Sequence, residues 1–153
     1  MRLPLPDEAA TVRAGRALAR HVQGADAIAL VGDLGAGKTT LVAALVDALG
    51  GGTASSPTFS LVNEYPGGRL RVWHVDLYRV EREAELPELG LDDVIGDRRG
   101  IVVVEWADKF DVMPRDHLRL ELAHEGAGRT LVATGTGPRG EALASALGAE
   151  LLG

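Results

Sequence analysis

The sequence contains no cysteine, which rules out disulfides and thiolate metal sites and suits a reducing compartment. Apolar runs of membrane length are missing as well. Met1 to Pro6 is too short and too proline-broken to serve as a signal peptide, so a soluble, cytoplasmic protein is expected. Lysine is scarce: of the 16 basic residues only Lys38 and Lys109 are lysine, an arginine bias that reads, with the abundant alanine and glycine, as genome composition. With lysine confined to those two positions, no Asn-Lys-x-Asp motif for reading guanine can be present. Positive charge is in deficit overall. A net charge of −6 offers no general attraction to a phosphate backbone, which disfavours autonomous nucleic-acid binding. No spacing of His, Asp or Glu suggests zinc, and no internal repeat or low-complexity tract is visible.

What remains is an ordinary globular composition, 46% apolar and 25% charged over 153 residues, enough for one domain spanning 1–153 with one core. Pro6-Asp7-Glu8 opens a helical stretch to about Val22, its acidic pair suited to a helix N-terminus. Arg13, Arg16 and Arg20 share one face of it, either a solvated face or a docking surface. Ala27 to Val31 is wholly apolar, as in a strand buried on both faces, and so is Ile101 to Val104. Leu41, Val42, Leu45, Val46 and Leu49 form a helical stripe that Gly50-Gly51-Gly52 ends. Phe59 to Tyr65 and Leu70 to Leu77 read as strands joined by a turn at Gly67-Gly68, and so tight a connection requires an antiparallel pair. Glu81 to Ile95 reads as two helical pieces interrupted by Pro87 and Gly90. A further hairpin is expected from His117 to Gly135, and a last helix carries Leu143, Leu147 and Leu151. The fold class is α/β: a three-layer P-loop NTPase-like domain with a mixed parallel and antiparallel central sheet.

Gly32-Asp33-Leu34-Gly35-Ala36-Gly37-Lys38-Thr39 matches G-x-x-x-x-G-K-[ST] in full. Glycines let the backbone turn successive N–H groups towards phosphate oxygens. The helix that follows adds unpaired donors and a partial positive charge. Lys38 would reach the β- and γ-phosphates, and the Thr39 hydroxyl would ligate Mg²⁺. Random order of this composition would produce the pattern in roughly three chains per thousand. The flanking apolar strand and helix make chance stricter still.

A P-loop alone binds; hydrolysis also needs an acid near the metal and an oriented water. Glu105 follows a buried strand, where open α/β sheets place their ligands, and is the first choice for Mg²⁺, directly or through water. Asp76, near the end of another strand candidate, would polarise the attacking water or complete the outer metal shell. Either carboxylate could instead cap a helix or pair with an arginine. Ser55 to Ser60 could be a γ-phosphate switch or plain loop chemistry. Trp73 and His74 are read as packing, and Trp106 as a nucleotide contact or a cover for the sheet edge. Two other classes stay open: a small-metabolite P-loop kinase, with Arg79, Arg82, Arg98 and Arg99 as lid, and a nucleotide-sensing module without useful hydrolysis.

Five segments, in order, resemble the TsaE (YjeE) family of bacterial ATPases in tRNA threonylcarbamoyladenosine synthesis. They are Gly32 to Thr40, Ser56 to Val62, His74-Val75-Asp76-Leu77-Tyr78-Arg79, Glu88-Leu89-Gly90-Leu91 and Val104-Glu105-Trp106. The resemblance covers about residues 3 to 110, with Gly128-Arg129 matching beyond it. It implies a small ATPase whose cycle lets TsaD-like and TsaB-like partners turn over repeatedly, rather than one that performs the transfer. By the same resemblance Thr39 and Glu105 would hold Mg²⁺, and Asp76 would be the catalytic acid. Asp33, Gly35, Ala36, Gly37, Lys38, Thr39 and Thr40 would line ATP, while Glu8 and Gly128 close over its other side. Val75 stands where phenylalanine is usual and Ala107 where proline is common, both packing changes.

Overall fold

The computed structural model describes residues 1–33, 35–52 and 62–153. Seven strands form one sheet among these residues: β1 (Arg2–Leu5), β2 (Ala27–Gly32), β3 (Val62–Tyr65), β4 (Arg71–Asp76), β5 (Gly100–Glu105), β6 (His117–Glu125) and β7 (Gly128–Thr136). Their spatial order is β1-β7-β6-β2-β5-β4-β3. The centre is parallel, with β6 and β5 flanking β2 and β4 beside β5. Each margin is an antiparallel pairing, β3 with β4 on one side and β1, β7 and β6 on the other. The mixed sheet is therefore as the hairpin spacing required.

Strands β2 and β5 are buried on both faces because helical pieces cover both. Ile28, Leu30, Ile101 and Val103 face one core, and Ala29, Val102 and Val104 face the other. The two layers are unequal. Helices α1 (Glu8–His21), α2 (Lys38–Leu49) and α4 (Gly137–Leu152) pack on the first face. The second is covered by a 3₁₀ turn (Glu83–Leu89), the four-residue α3 (Leu91–Val94) and a 3₁₀ turn at Ala107–Lys109. Pro87 lies inside the first of these turns; the break falls at Gly90 alone, whose φ of 70° ends it. Six acidic residues and one arginine between 81 and 93 give this short stretch all but one unit of the net charge of −6. Arg13 and Arg16 are exposed on α1, across the sheet, while Arg20 pairs with Glu150 of α4.

Strand β1 is the one strand among the described residues that the sequence pattern did not suggest. Its Leu3 and Leu5 alternate inwards, but Pro4 and Pro6 mask the signal. Pro4 is tolerated because β1 is an edge strand, where a missing N–H breaks no ladder. Residues 59–61 of the expected first hairpin strand, and the Ser55 to Ser60 segment, lie outside the described residues.

Helix α4 is anchored through its first turn. Asp116 accepts from the backbone N–H groups of Arg139 and Gly140, at 3.2 and 2.8 Å. The Arg139 guanidinium grips the buried Asp26 carboxylate with two bonds, at 3.0 and 2.7 Å. Asp26 also accepts the Gln23 N–H at 2.7 Å, fixing the turn that enters β2. Removing one partner of a buried pair leaves the other without compensation, but Arg139 retains access to water, which softens the loss. Asp26→Ala is expected to lower stability by about 2 kcal/mol in urea unfolding, with no change in the nucleotide site.

Candidate functional site

The parallel strands β2, β4 and β5 all end on one side of the sheet, so Gly32, Asp76 and Glu105 share that rim. Gly32 is fixed by space: a Cβ there would stand 2.2 Å from the Leu122 carbonyl oxygen, and its φ is +143°. The chain then turns back on itself, with Ala36 N–H donating to the Asp33 carbonyl at 3.2 Å. Gly37, at φ 106°, starts α2 in the left-handed region and brings no side chain to cap it. Contrast α1, where Asp7 accepts from Ala10 N–H at 2.8 Å, and α4, served by Asp116. The first turn of α2 has no side-chain acceptor among the described residues, so its amides face the rim as donors for an anion.

A cleft of about 330 Å³ opens at this rim, lined by Gly35, Gly37, Lys38, Thr39, Thr40, Asp76, Tyr78, Glu105 and Trp106. Parallel pairing puts Asp76 directly opposite Glu105. The two carboxylates that sequence reading treated separately are thus neighbours, facing the lysine and threonine of the loop. One Asp76 oxygen accepts the Tyr78 N–H at 2.9 Å, and the second has no partner among the described residues. Lys109 donates to the carbonyls of Tyr78 and Val80, at 2.9 and 2.5 Å, and so pins the loop that leaves β4.

Lys38 is not extended into open space. Its amine donates to Gly32 O at 2.7 Å, lies 4.6 Å from the centre of the Trp106 ring, and the residue is only 6% exposed. The ammonium rests on a loop carbonyl and an aromatic face, near enough to Glu105 for its charge to favour the carboxylate. It still lines the cleft, and an ammonium has three donors to share. Trp106 itself sits at φ 59°, a costly conformation for a bulky residue, and packs against Tyr78 with the rings tilted by 42° and centroids 5.1 Å apart. It contacts the cation of the loop and packs against the second core; β5, which it follows, is not an edge strand.

His74 is the residue that sequence reading missed. Its Nε2 lies 2.5 Å from Glu105 Oε2, and both side chains are largely buried. The signal was available: residues two apart on a strand share a face, so His74 lies beside Asp76 and reaches the same side as Glu105. Burial penalises the Glu105 carboxylate, but the His74 hydrogen bond, the His74 charge and Lys38 outweigh it and hold its pKa below the ordinary 4.5. A lowered folded-state value adds stability that is complete above the unfolded pKa and is lost as pH falls through the folded one. His74→Ala should therefore melt below wild type at about pH 7, and calorimetry should find the gap closing as pH drops below about 4.5.

A second cleft, about 240 Å³, shares Gly35, Gly37 and Thr40 with the first and adds Glu8, Thr11, Gly128 and Arg129. The sequence-predicted Glu8 and Gly128 thus lie across the loop from Asp76 and Glu105. Gly128 is itself constrained, since a Cβ would come within 3.0 Å of the Leu5 carbonyl and Pro6. Two predicted residues fall outside both clefts. Asp33 lines a separate hollow with Trp106, Asp108 and Glu121, and Ala36 is fully buried beneath the loop. Among the described residues no group of three or more His, Cys, Asp or Glu could hold a metal ion. The Thr39 hydroxyl and the Glu105 carboxylate line the same cleft, with Thr40 and Asp76 beside them. That is the hard-oxygen set Mg²⁺ uses when phosphates supply the remaining ligands.

A sequence profile of the family described as threonylcarbamoyl adenosine biosynthesis protein TsaE matches residues 5–131. The chain belongs to the TsaE family. Among curated relatives, the tRNA threonylcarbamoyladenosine biosynthesis protein TsaE of Bacillus subtilis is 38% identical over 125 residues, covering 80% of this chain and 77% of the relative. The protein of the same description from Synechocystis is 43% identical over 117 residues, 72% of each chain. The crystal structure of Bacillus subtilis YdiB superposes with a TM-score of 0.81 at 28% identity, covering 98% of this chain and 95% of that one. This TsaE chain is thus similar to relatives concerned with threonylcarbamoyladenosine in tRNA, and no helix among its described residues is long and apolar enough to cross a membrane.

Proposed function

We propose that this chain binds Mg-ATP at the P-loop and hydrolyses it slowly, serving TsaD-like and TsaB-like partners that modify tRNA beside the anticodon in the cytoplasm. The observation that carries the ATPase reading is the side-by-side pairing of Asp76 and Glu105, facing Lys38 and Thr39 across one cleft. A binding loop needs no such pair; hydrolysis does. Lys38 leaves Gly32 O for a phosphate oxygen, and the first amides of α2 complete the grip. Thr39 and Glu105 would hold Mg²⁺, which when bound offsets phosphate charge. His74 fixes the rotamer of Glu105, as an outer partner of a metal ligand does. Asp76, whose second oxygen has no partner among the described residues, orients the water and takes its proton.

The kinase alternative loses two of the four arginines offered for its lid. Arg98 and Arg99 precede β5, at the end of the sheet opposite the cleft, and Arg99 is spent on Asp97 in a paired contact. A strand of six residues separates them from the phosphates by roughly 20 Å. The acidic stretch at 81–93 repels tRNA, which supports contact mainly through the partners. Size exclusion of the chain with purified TsaD and TsaB, with nucleotide present, tests the assignment. A co-migrating complex is expected, and separate elution at micromolar concentration would count against it.

A further inference from the structure

Two cations border the P-loop, and both rest on its carbonyls. Lys38 donates to Gly32 O. Arg129, from the start of β7, donates to Gly35 O at 3.3 Å and to Gly128 O at 3.0 Å. The arginine has no carboxylate within ion-pair distance among the described residues, although Asp7 and Glu8 line the same cleft. Asp7 is engaged in capping α1. A guanidinium left with backbone acceptors alone, beside an anion-binding loop, has donors to give to a phosphate.

We propose that Arg129 is a nucleotide-contacting residue that moves from Gly35 O to the phosphate nearest the nucleoside, a reading that rests on the proposed ATP site. The two clefts fix which phosphate. Lys38, Thr39, Asp76 and Glu105 line one, so the terminal phosphate and the metal belong there. Arg129 lines only the other, beyond Gly35 and Gly37, where the nucleoside end must lie. Arg129 therefore grips a group that ADP and ATP share. Such an interaction is equal in the ground and transition states, so it strengthens binding without accelerating hydrolysis. An arginine on the terminal phosphate would do the reverse.

Calorimetric titration of wild type, Arg129→Ala and Arg129→Lys with ADP and with ATP, alongside turnover at saturating ATP in the presence of TsaD and TsaB, separates these cases. Arg129→Ala is expected to weaken ADP and ATP by the same factor, about tenfold or more. Saturated turnover should stay within about twofold of wild type, and Arg129→Lys should recover part of the affinity. Unchanged ADP affinity would overturn the proposal, as would a fall in turnover with ADP binding intact. A lowered melting temperature with equal loss in the lysine variant would make Arg129 a mere brace of the loop. Should wild type bind neither nucleotide, the ATP reading fails first and Arg129 with it.

Discussion

Replacing Lys38 by alanine is expected to weaken ATP binding by at least roughly 2 kcal/mol, about thirtyfold in affinity. The loss is that of a charge-assisted contact to phosphate, which no neighbouring side chain can replace: Lys109 is occupied with the carbonyls after β4. From sequence alone the same substitution should leave folding untouched, because the partner of a P-loop lysine is its ligand. The structure corrects that. The amine bonds Gly32 O and faces Trp106, so the variant should also lose about 1 kcal/mol of stability in urea unfolding. The two effects are separable, because only the first depends on nucleotide.

The other large effect concerns the paired carboxylates. Glu105→Gln and Asp76→Asn should each reduce ATP turnover by about a hundredfold or more, a cost typical of removing an electrostatic or acid–base group. Their signatures differ. Glu105→Gln should make ATP binding nearly indifferent to Mg²⁺, because a carboxamide replaces the one carboxylate assigned to the metal. Asp76→Asn should leave Mg²⁺-dependent binding intact while stopping hydrolysis. Since both act on one water and one phosphate, the double variant should be scarcely worse than either single one. Turnover unchanged in both single variants would make the chain a nucleotide sensor instead of an ATPase. Steady-state phosphate release with TsaD and TsaB present measures all three.

Much of this was legible in the sequence wherever a residue's role depends on its local run. The apolar strands β2 and β5 announce burial on two faces, and the loop between β2 and α2 announces itself by its glycines and Lys38. Hairpin turns revealed that the sheet is mixed. Other features depend on register between distant strands and could not be read from spacing. That Asp76 faces Glu105 requires β4 and β5 to pair in parallel with no offset. Strand spacing puts His74 on the face of Asp76, but only that pairing brings it to Glu105. Arg129 lies 94 residues from the carbonyl it contacts. Strand β1 was hidden by its own prolines, which an edge position tolerates. Asp33 belongs to the loop motif, yet it lines a hollow apart from the two clefts.

The amides opening α2 are expected to receive a phosphate. Titrating isotopically labelled protein with Mg-ATP and following backbone amide resonances tests it without relying on turnover or partners. The amides of residues 35–40 should shift most, with Glu105 and Asp76 following only when Mg²⁺ is present. If those loop amides stay fixed at millimolar Mg-ATP while resonances elsewhere move, nucleotide is bound at another place and the account is wrong.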